Sequence, residues 1–325
     1  YSLLNGRRII SMDSGGESES SVNAAGCETI EFSKKVKTEK VFGYVVNMRI
    51  EGLIGGHSGS CIDMERGNAI KICAMLMRKL QRNGIKFSIA NISAGQASNA
   101  IPDSCIVEFL VNDDECVMSI LAEYITKLNN SFRETETGLE IVLSSTGNTV
   151  RIMSEDDSLN LIDFLTLLPN GRLHKSMTID NFVIASCNVA MLDVNDGQIT
   201  VKVSARAANE FKLDEVEDRI MLAGVKFGMN GIKEERTPCW EYMPHSAMRS
   251  LAAELMMKEW GISLKKSFEH GGLECGYFAK NIPDVDIYVI GPIGRNVHTV
   301  QECLDLKSAH RVYEFLKKYL ALLTD

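Results

Sequence analysis

The sequence lacks the features of several protein classes. Its 325 residues contain no Cys-x-x-Cys pair, so a zinc site built from thiolates is not expected. No basic run occurs, and the net charge of −8 argues against a nucleic-acid partner. No apolar run approaches the roughly 20 residues needed to span a membrane, and no signal peptide is predicted. Neither a nucleic-acid nor a membrane partner is therefore expected.

Cysteine usage and composition favour a cytoplasmic globular protein. Nine cysteines, an odd number without regular spacing, predict reduced thiols and a cytoplasmic location. Hydrophobic residues make up 45% of the chain and charged residues 24%, which is ordinary for a globular protein. The length allows two domains, each with its own hydrophobic core.

A glycine-rich stretch at residues 52–69 surrounds one histidine, His57. Glycine permits a positive φ angle and close approach of the backbone to a ligand. The stretch is therefore typical of a histidine that is presented to a reacting group, where it donates a hydrogen bond to an oxyanion. The alternative is a plain connection between a strand and a helix, because glycine clusters usually mark turns.

Apolar periodicity predicts strands and helices that alternate along the chain. The order strand, helix, strand, strand, helix occurs once and is then repeated loosely, which predicts two α+β halves in tandem. The polar stretch at residues 34–40, which contains four lysines and one glutamate, is expected to be solvated. The predicted strands are 8–12, 41–50, 86–92, 105–111, 140–143, 150–153, 182–192, 199–205 and 287–290, and the predicted helices include 66–83, 157–167, 213–222, 247–260 and 308–323.

Two charged residues stand at the ends of predicted strands. Asp13 follows the first strand, at the edge where α/β sheets bind ligands, although an aspartate before Ser-Gly is more often a turn residue. Arg206 ends the strand that begins at Val201. Its guanidinium could bind the C-terminal carboxylate of a peptide in a bidentate manner, or it could be a solvated arginine on an edge strand.

Four stretches of the sequence resemble, in the same order, the motifs of the aminoacyl-histidine dipeptidases. This family, also called Xaa-His dipeptidases or peptidase D, comprises dinuclear zinc metallopeptidases related to carnosinases. The resemblance covers most of the chain. The stretches are Gly-Leu-Ile-Gly-Gly-His-Ser-Gly at 52–59, Asn-Ala-Ile-Pro at 99–102, Glu-His-Gly-Gly-Leu-Glu-Cys-Gly at 269–276, and the segment from Gly-Pro at 291–292 to His-Thr at 298–299.

The resemblance implies an α/β fold with an inserted lid. Residues 1–27 and 237–325 are expected to form part of a zinc-exopeptidase-like catalytic domain. Residues 28–236 are expected to form an α+β lid and dimerisation domain of two ferredoxin-like halves. The family also implies a homodimer through the lid, in which His57 serves the active site of the other subunit.

The resemblance further implies roles for eight residues. His270 and Glu274 could line the substrate pocket or brace its loop. The implied metal ligands are Asp13 and His298, the catalytic oxyanion donor is His57, and the substrate-binding residues are Asn99, Arg206, His270, Gly272 and Glu274.

The implied metal site is incomplete in this sequence. Asp13 and His298 are two of five implied zinc ligands. The resemblance implies that the others are the His of a His-x-Asp motif, a bridging Asp and a Glu, that the base is the Glu just before that ligand, and that all four lie before Asp13. The twelve residues before Asp13 contain no His, Asp or Glu, and no His-x-Asp motif occurs. We therefore expect an incomplete chain that lacks the N-terminal part of its catalytic domain.

Two functions from different classes are predicted. The first is a metallodipeptidase that hydrolyses Xaa-His dipeptides such as carnosine with a water activated by two zinc ions. Other divalent metals are possible, because Asp and His ligate several of them. The alternative is a noncatalytic homologue that acts as a dimerisation or binding module.

Overall fold

The computed structural model of the chain describes residues 4, 6–13, 16–296 and 300–323. The chain divides into two compact units. The smaller unit comprises Tyr1–Cys27, Ala207–Glu210 and Thr237–Asp325, and the larger comprises Glu28–Arg206 and Phe211–Arg236. Among the described residues, no helix combines the length and the apolar character that a membrane crossing requires.

The chain alternates between strands and helices, as the periodicity predicts. The described elements are, in chain order, β1 (Arg8–Ser11), β2 (Glu19–Ser21), β3 (Gly26–Lys35), β4 (Thr38–Glu51), β5 (Gly56–His57), a short 3-10 helix (Ile62–Met64), α1 (Ala69–Arg82), β6 (Phe87–Ala94), β7 (Ala100–Ile101), β8 (Cys105–Val111), α2 (Asp114–Phe132), β9 (Glu140–Met153), α3 (Glu155–Leu167), β10 (Gly171–Lys175), β11 (Val183–Asn195), β12 (Gln198–Ala207), α4 (Glu210–Lys226), β13 (Asn230–Lys233), α5 (Ala247–Trp260), β14 (Lys265–Ser267), α6 (Cys275–Asn281), β15 (Asp286–Val289), β16 (Gly294–Arg295), β17 (Cys303–Leu304) and α7 (Leu306–Leu322).

Within the described residues, the larger unit is built on a nine-stranded sheet. Its strand order is β13-β3-β12-β11-β6-β8-β4-β9, with β10 paired to β11. One half has the chain order β4-α1-β6-β8-α2-β9, and the other has β3-α3-β11-β12-α4-β13. In both halves the sheet order of the four strands is fourth, first, third, second, which is ferredoxin-like. The predicted lid of two ferredoxin-like halves is confirmed, and the first half is inserted between β3 and α3 of the second.

Helix α1 illustrates how the sequence sets the bounds of an element. Its predicted core positions, Ile70, Cys73, Met77 and Leu80, are all buried. The Asn68 side chain caps the helix by accepting hydrogen bonds from the backbone N–H groups of residues 70 and 71, at 3.0 and 3.2 Å. The predicted start at residue 66 is wrong, because the cap places the first helical turn three residues later.

One prediction about strands in this unit is wrong. The predicted strands 140–143 and 150–153 are one strand, β9, which pairs with β4 from Glu51↔Glu140 to Thr38↔Met153. Residues 34–40 end β3 and begin β4, and they are exposed or half-buried, as the prediction of a solvated stretch requires. Strand β9 lies at the edge of the sheet and is largely exposed, so its sequence shows no apolar alternation.

In the smaller unit, a pair of parallel strands is covered by helices. Strands β1 and β15 pair in register from Arg8↔Asp286 to Ser11↔Val289. Tyr288 and Ile290 pack with buried residues of α5 and α7, whereas Ile287 and Val289 pack with Trp240 and α6. The alternation follows from the two-residue period of a strand that is buried on both faces. Strand β1 ends at Ser11, one residue before the predicted end, and of its four residues only Ser11 is buried, so the prediction of a buried strand directly before Asp13 is wrong.

A buried carboxyl pair lies in the larger unit where β3, α4 and β13 meet. Burial and a hydrogen bond with Glu217 raise the pKa of the Glu28 carboxyl from its ordinary 4.5 to about 7, although Arg236 and Lys233 act in the opposite direction. The Glu28 residue is only 3% exposed. Asp214 also faces the cluster, where it pairs with Arg236 at 2.6 Å. Glu28 is therefore a protonated hydrogen-bond donor below neutral pH.

The raised pKa predicts a loss of stability as the pH rises from acidic to neutral. A carboxyl whose pKa is higher in the folded than in the unfolded chain stabilises the fold below pH 4.5, and this stabilisation disappears as the pH rises through about 7. When the pH is raised from 5 to 8, the unfolding free energy of the wild type should fall by about 2 kcal/mol more than that of Glu28→Gln. Urea unfolding followed by far-UV circular dichroism measures this. Glu39→Gln, at an exposed position of β4, should show the same change of unfolding free energy with pH as the wild type. If Glu28→Gln also showed the wild-type change, the raised pKa of Glu28 would be contradicted.

Candidate active site

The glycine-rich loop of the larger unit presents His57 at the surface. His57 belongs to β5, which pairs with β7 through Gly56↔Ile101 and His57↔Ala100. The loop closes on itself through a hydrogen bond from the Cys61 N–H to the His57 carbonyl at 2.9 Å. Gly56 has a φ angle of +126°, and a Cβ atom there would overlap the Arg66 guanidinium. Glycine at this position is therefore required by the loop itself.

Hydrogen bonds fix the tautomer of the neutral His57 ring. The backbone N–H groups of Gly59 and Ser60 donate to Nδ1 at 3.2 and 3.3 Å. A ring nitrogen that accepts hydrogen bonds carries no proton, so the proton of the neutral imidazole lies on Nε2. The His57 side chain is exposed and can offer this Nε2–H to a ligand oxygen.

The structure brings Asn99 next to the His57 loop. The Ser58 N–H donates to the Asn99 carbonyl at 2.8 Å, one residue before the β5–β7 pairing. The following residue is also held, because the buried Asn188 side chain donates to the Ala100 carbonyl at 2.7 Å. The segments that carry two of the predicted site residues, His57 and Asn99, are therefore hydrogen-bonded to each other.

Arg206 is a buried arginine in the interior of the sheet. It lies in β12, between β3 and β11, and is 8% exposed. The alternative of a solvated arginine on an edge strand is therefore wrong. In the part of the chain that the structure describes, its Nε has no hydrogen-bond partner, and no carboxylate lies within ion-pair distance of it. A buried guanidinium nitrogen without a hydrogen-bond partner or nearby counter-charge is costly, and an anionic ligand at the guanidinium would offset that cost.

Asp13 and Glu274 are linked through one serine in the smaller unit. The Ser11 hydroxyl donates to the Glu274 carboxylate at 2.5 Å and accepts a hydrogen bond from the Asp13 N–H at 3.3 Å. Ser11 is the last residue of β1, so this contact fixes the loop before α6 to the end of that strand. Glu274 therefore braces the loop, which was one of its two predicted roles.

The loop that carries His270 and Gly272 is held by a buried asparagine. Asn23 donates to the Glu269 carbonyl at 2.8 Å and accepts from the Glu269 N–H at 2.9 Å. His270 is buried, whereas Gly272 is exposed. A Cβ atom at Gly272 would make only ordinary contacts, the nearest at 3.7 Å. The protein itself therefore does not require glycine at position 272.

The cysteine of this loop is not a nucleophile. Burial, and next the Glu274 carboxylate, raise the pKa of the Cys275 thiol to about 12. Cysteine reacts as the thiolate, so a thiol with this pKa is inert near neutral pH. Cys275 is therefore not a candidate catalytic residue.

Sequence reasoning missed Glu136, which lies beneath the His57 loop. Glu136 is 2% exposed and follows α2 in the run Arg-Glu-Thr-Glu-Thr-Gly. Its carboxylate accepts hydrogen bonds from the N–H groups of Ile54 at 2.8 Å and Gly67 at 2.6 Å. A polar run of this kind is typical of a solvated turn, so the sequence carries no signal of its burial.

Comparisons with known proteins found similar proteins among the peptidases. Residues 49–136 match a family model described as a peptidase dimerisation domain. The chain is 25% identical over 320 residues to a cytosol non-specific dipeptidase of Escherichia coli (strain K12), a match that covers 96% of this chain. It superposes on the crystal structure of an aminoacylhistidine dipeptidase from Vibrio alginolyticus with a TM-score of 0.89, 21% identity and 99% of this chain covered.

The chain has the fold of the aminoacyl-histidine dipeptidases. This confirms the resemblance inferred from the four sequence motifs. The chain spans 65% of the length of the Escherichia coli dipeptidase and 66% of the Vibrio alginolyticus dipeptidase. The likeness therefore establishes the fold, while activity and substrate need evidence from the site itself.

The described residues do not by themselves make up the two-metal site that the aminoacyl-histidine dipeptidase fold implies. Asp13 lies exposed just beyond β1, and His298 falls outside the described residues. Across residues 4, 6–13, 16–296 and 300–323, no three side chains of His, Cys, Asp or Glu are grouped as a metal ion requires. The role of Asp13 as a metal ligand remains a prediction.

Proposed function

We propose that this chain belongs to a dipeptidase and that its own described residues recognise the dipeptide rather than hydrolyse it. The observation that carries the proposal is a buried, uncompensated Arg206 within the fold of the aminoacyl-histidine dipeptidases. The substrate class follows from the chemistry, because a dipeptidase must hold a free C-terminal carboxylate. Xaa-His dipeptides such as carnosine are the proposed substrates.

Arg206 is proposed to bind the C-terminal carboxylate of the dipeptide. A guanidinium pairs with a carboxylate through two parallel N–H···O bonds, which gives both strength and orientation. Such charge-assisted bonds are strongest in sites shielded from water, and Arg206 is shielded in this way. This role would discriminate a dipeptide from a peptide with an amidated C-terminus.

His57 is proposed to donate a hydrogen bond from Nε2 to the carbonyl oxygen of the scissile amide. The hydrogen bonds at Nδ1 support this role, because they hold the neutral ring in the tautomer that has its donor on Nε2. A fixed donor stabilises negative charge without reorganising as the charge develops. Asn99, His270 and Gly272 are proposed as further substrate contacts.

Self-association through the larger unit is proposed as the partner interaction, together with a cytoplasmic location. The family model of a peptidase dimerisation domain covers residues 49–136 of this unit. Strand β9 offers an unpaired edge of 14 residues. Two aromatic side chains next to it on β4, Phe42 and Tyr44, are 74% and 49% exposed. An exposed strand edge with apolar neighbours is a favourable site for pairing with a second copy.

A noncatalytic dimerisation or binding module is the second candidate. The absence of a group of three potential metal ligands among the described residues favours it. Zinc is the metal that the fold implies, and both candidates predict little zinc on this chain alone. They differ in whether the chain, when combined with a segment that carries the remaining predicted ligands, binds two zinc ions and cleaves the dipeptide.

The proposal predicts a dimer that binds β-alanyl-histidine but holds well under one zinc ion per chain and releases no histidine. Elemental analysis after exhaustive dialysis, light scattering, and an assay for released histidine with added Zn²⁺ check these points on one sample. A content of about two zinc ions per chain with metal-dependent hydrolysis would overturn the noncatalytic part of the proposal. A monomer that binds no dipeptide would overturn the recognition part.

A further inference from the structure

We propose that Glu136 is the residue that positions the His57 loop for its ligand. Its two carboxylate oxygens each accept one backbone N–H, from Ile54 and from Gly67, at opposite ends of the loop. One side chain therefore fixes both ends of the segment that presents His57. Its importance for dipeptide recognition rests on the function proposed above, whereas its effect on the loop does not.

The chemistry of this contact requires a carboxylate. Glu136 is 2% exposed, and no Lys, Arg or His among the described residues forms an ion pair with it. The cost of burying this carboxylate is offset by two short hydrogen bonds from backbone N–H groups, at 2.8 and 2.6 Å. Glutamine has a single acceptor oxygen, so its NH₂ group would face one of these N–H donors. Glutamate at this position is therefore not replaceable by its neutral isostere without loss of one bond.

The loop is fixed at its ends by Glu136 and at its middle by β7. Between Ile54 and Gly67, the β5–β7 pairing holds Gly56 and His57, and the Arg66 guanidinium donates to the Gly55 carbonyl. The two N–H donors to His57 Nδ1 lie in the same segment. When the ends are released, these donors lose their fixed direction, and the preference for the Nε2–H tautomer weakens.

The test uses Glu136→Gln in the full chain, with Glu134→Gln as the matched control. Glu134 lies two residues away, and its side chain is 85% exposed. In Glu136→Gln, the amide hydrogen that faces the NH₂ group, of Ile54 or of Gly67, should exchange about tenfold faster or more. The ¹⁵N signals of the His57 ring should move from a fixed Nε2–H tautomer towards averaged tautomers. Glu134→Gln should match the wild type in both measurements.

Amide exchange at the Thr38↔Met153 end of the β4–β9 pairing shows whether each variant is folded, since this end is opposite to the Glu51↔Glu140 end, which adjoins the Glu136 segment. Glu136→Asp keeps two acceptor oxygens on a shorter side chain, so its amide exchange and His57 ring signals should lie between those of the wild type and Glu136→Gln. This variant provides the test if Glu136→Gln does not fold. Wild-type His57 signals in both folded variants would overturn the inference. Failure of the wild type to bind β-alanyl-histidine would instead contradict the proposed function and leave the role of Glu136 intact.

Discussion

Replacement of Arg206 by methionine is expected to weaken the binding of β-alanyl-histidine about 100-fold, which corresponds to about 2.8 kcal/mol. The expectation follows from the position of the guanidinium, which is buried in β12 with no carboxylate partner among the described residues. A charge-assisted, bidentate contact in such a place contributes about 1.5–3 kcal/mol per hydrogen bond, and part of it is offset by desolvation of the ligand.

The same substitution should not destabilise the free chain. A buried guanidinium without a counter-charge costs folding free energy, and methionine fills a similar volume without that cost. The urea midpoint of Arg206→Met should therefore equal or exceed that of the wild type. Loss of binding together with unchanged or higher stability distinguishes a residue kept for a ligand from one kept for the fold.

Isothermal titration calorimetry with β-alanyl-histidine and its C-terminal amide provides the measurement. The wild type should prefer the free acid, and Arg206→Met should lose that preference. Lys202→Met is the matched control on the same strand, because Lys202 Nζ pairs with Glu31 at 2.9 Å and Glu234 at 3.2 Å and is not left unpaired. Equal weakening for the acid and the amide would show that Arg206 does not bind the carboxylate.

The fold could be predicted from the sequence wherever one face of an element is buried. Helix α5 spans the predicted residues 247–260, and β8 spans the predicted residues 105–111. Strand β9 was predicted in two pieces because its middle, around Gly147, is exposed on both faces. An edge strand gains its structure from the register with β4 and not from its own hydrophobic pattern.

The candidate site was predictable only where a motif spans consecutive residues. The His57 loop and the Asn99 turn could be named together because each has a distinctive local sequence, and the β5–β7 pairing brings them side by side. Glu136 could not be named, because its burial depends on the crossing of two segments about 80 residues apart in the chain. The roles of Asp13, His57 and Arg206 in catalysis or binding remain predictions.

The second large effect is expected at Gly52, where that crossing occurs. Gly52 has a φ angle of +79°, and a Cβ atom there would overlap the carbonyl oxygen of Gly138. The close approach is mutual, because a Cβ atom at Gly138 would lie 2.6 Å from the carbonyl oxygen of Gly52. Both obstacles are backbone atoms, which cannot move aside as a flexible side chain could. Gly52→Ala should therefore destabilise the larger unit by about 4 kcal/mol, at the upper end of single-substitution effects.

Gly84→Ala separates the two causes of this loss. Gly84 has a nearly identical φ angle of +75°, but a Cβ atom there would meet no atom within 4 Å. This control should lose only the cost of a left-handed backbone, about 1 kcal/mol. Urea unfolding of both variants measures the difference of about 3 kcal/mol that belongs to the Gly52–Gly138 crossing alone. Equal losses would mean that the crossing relaxes easily. In that case the segment that carries Glu136 could not hold the His57 loop rigidly, and the positioning of His57 would have to come from β7.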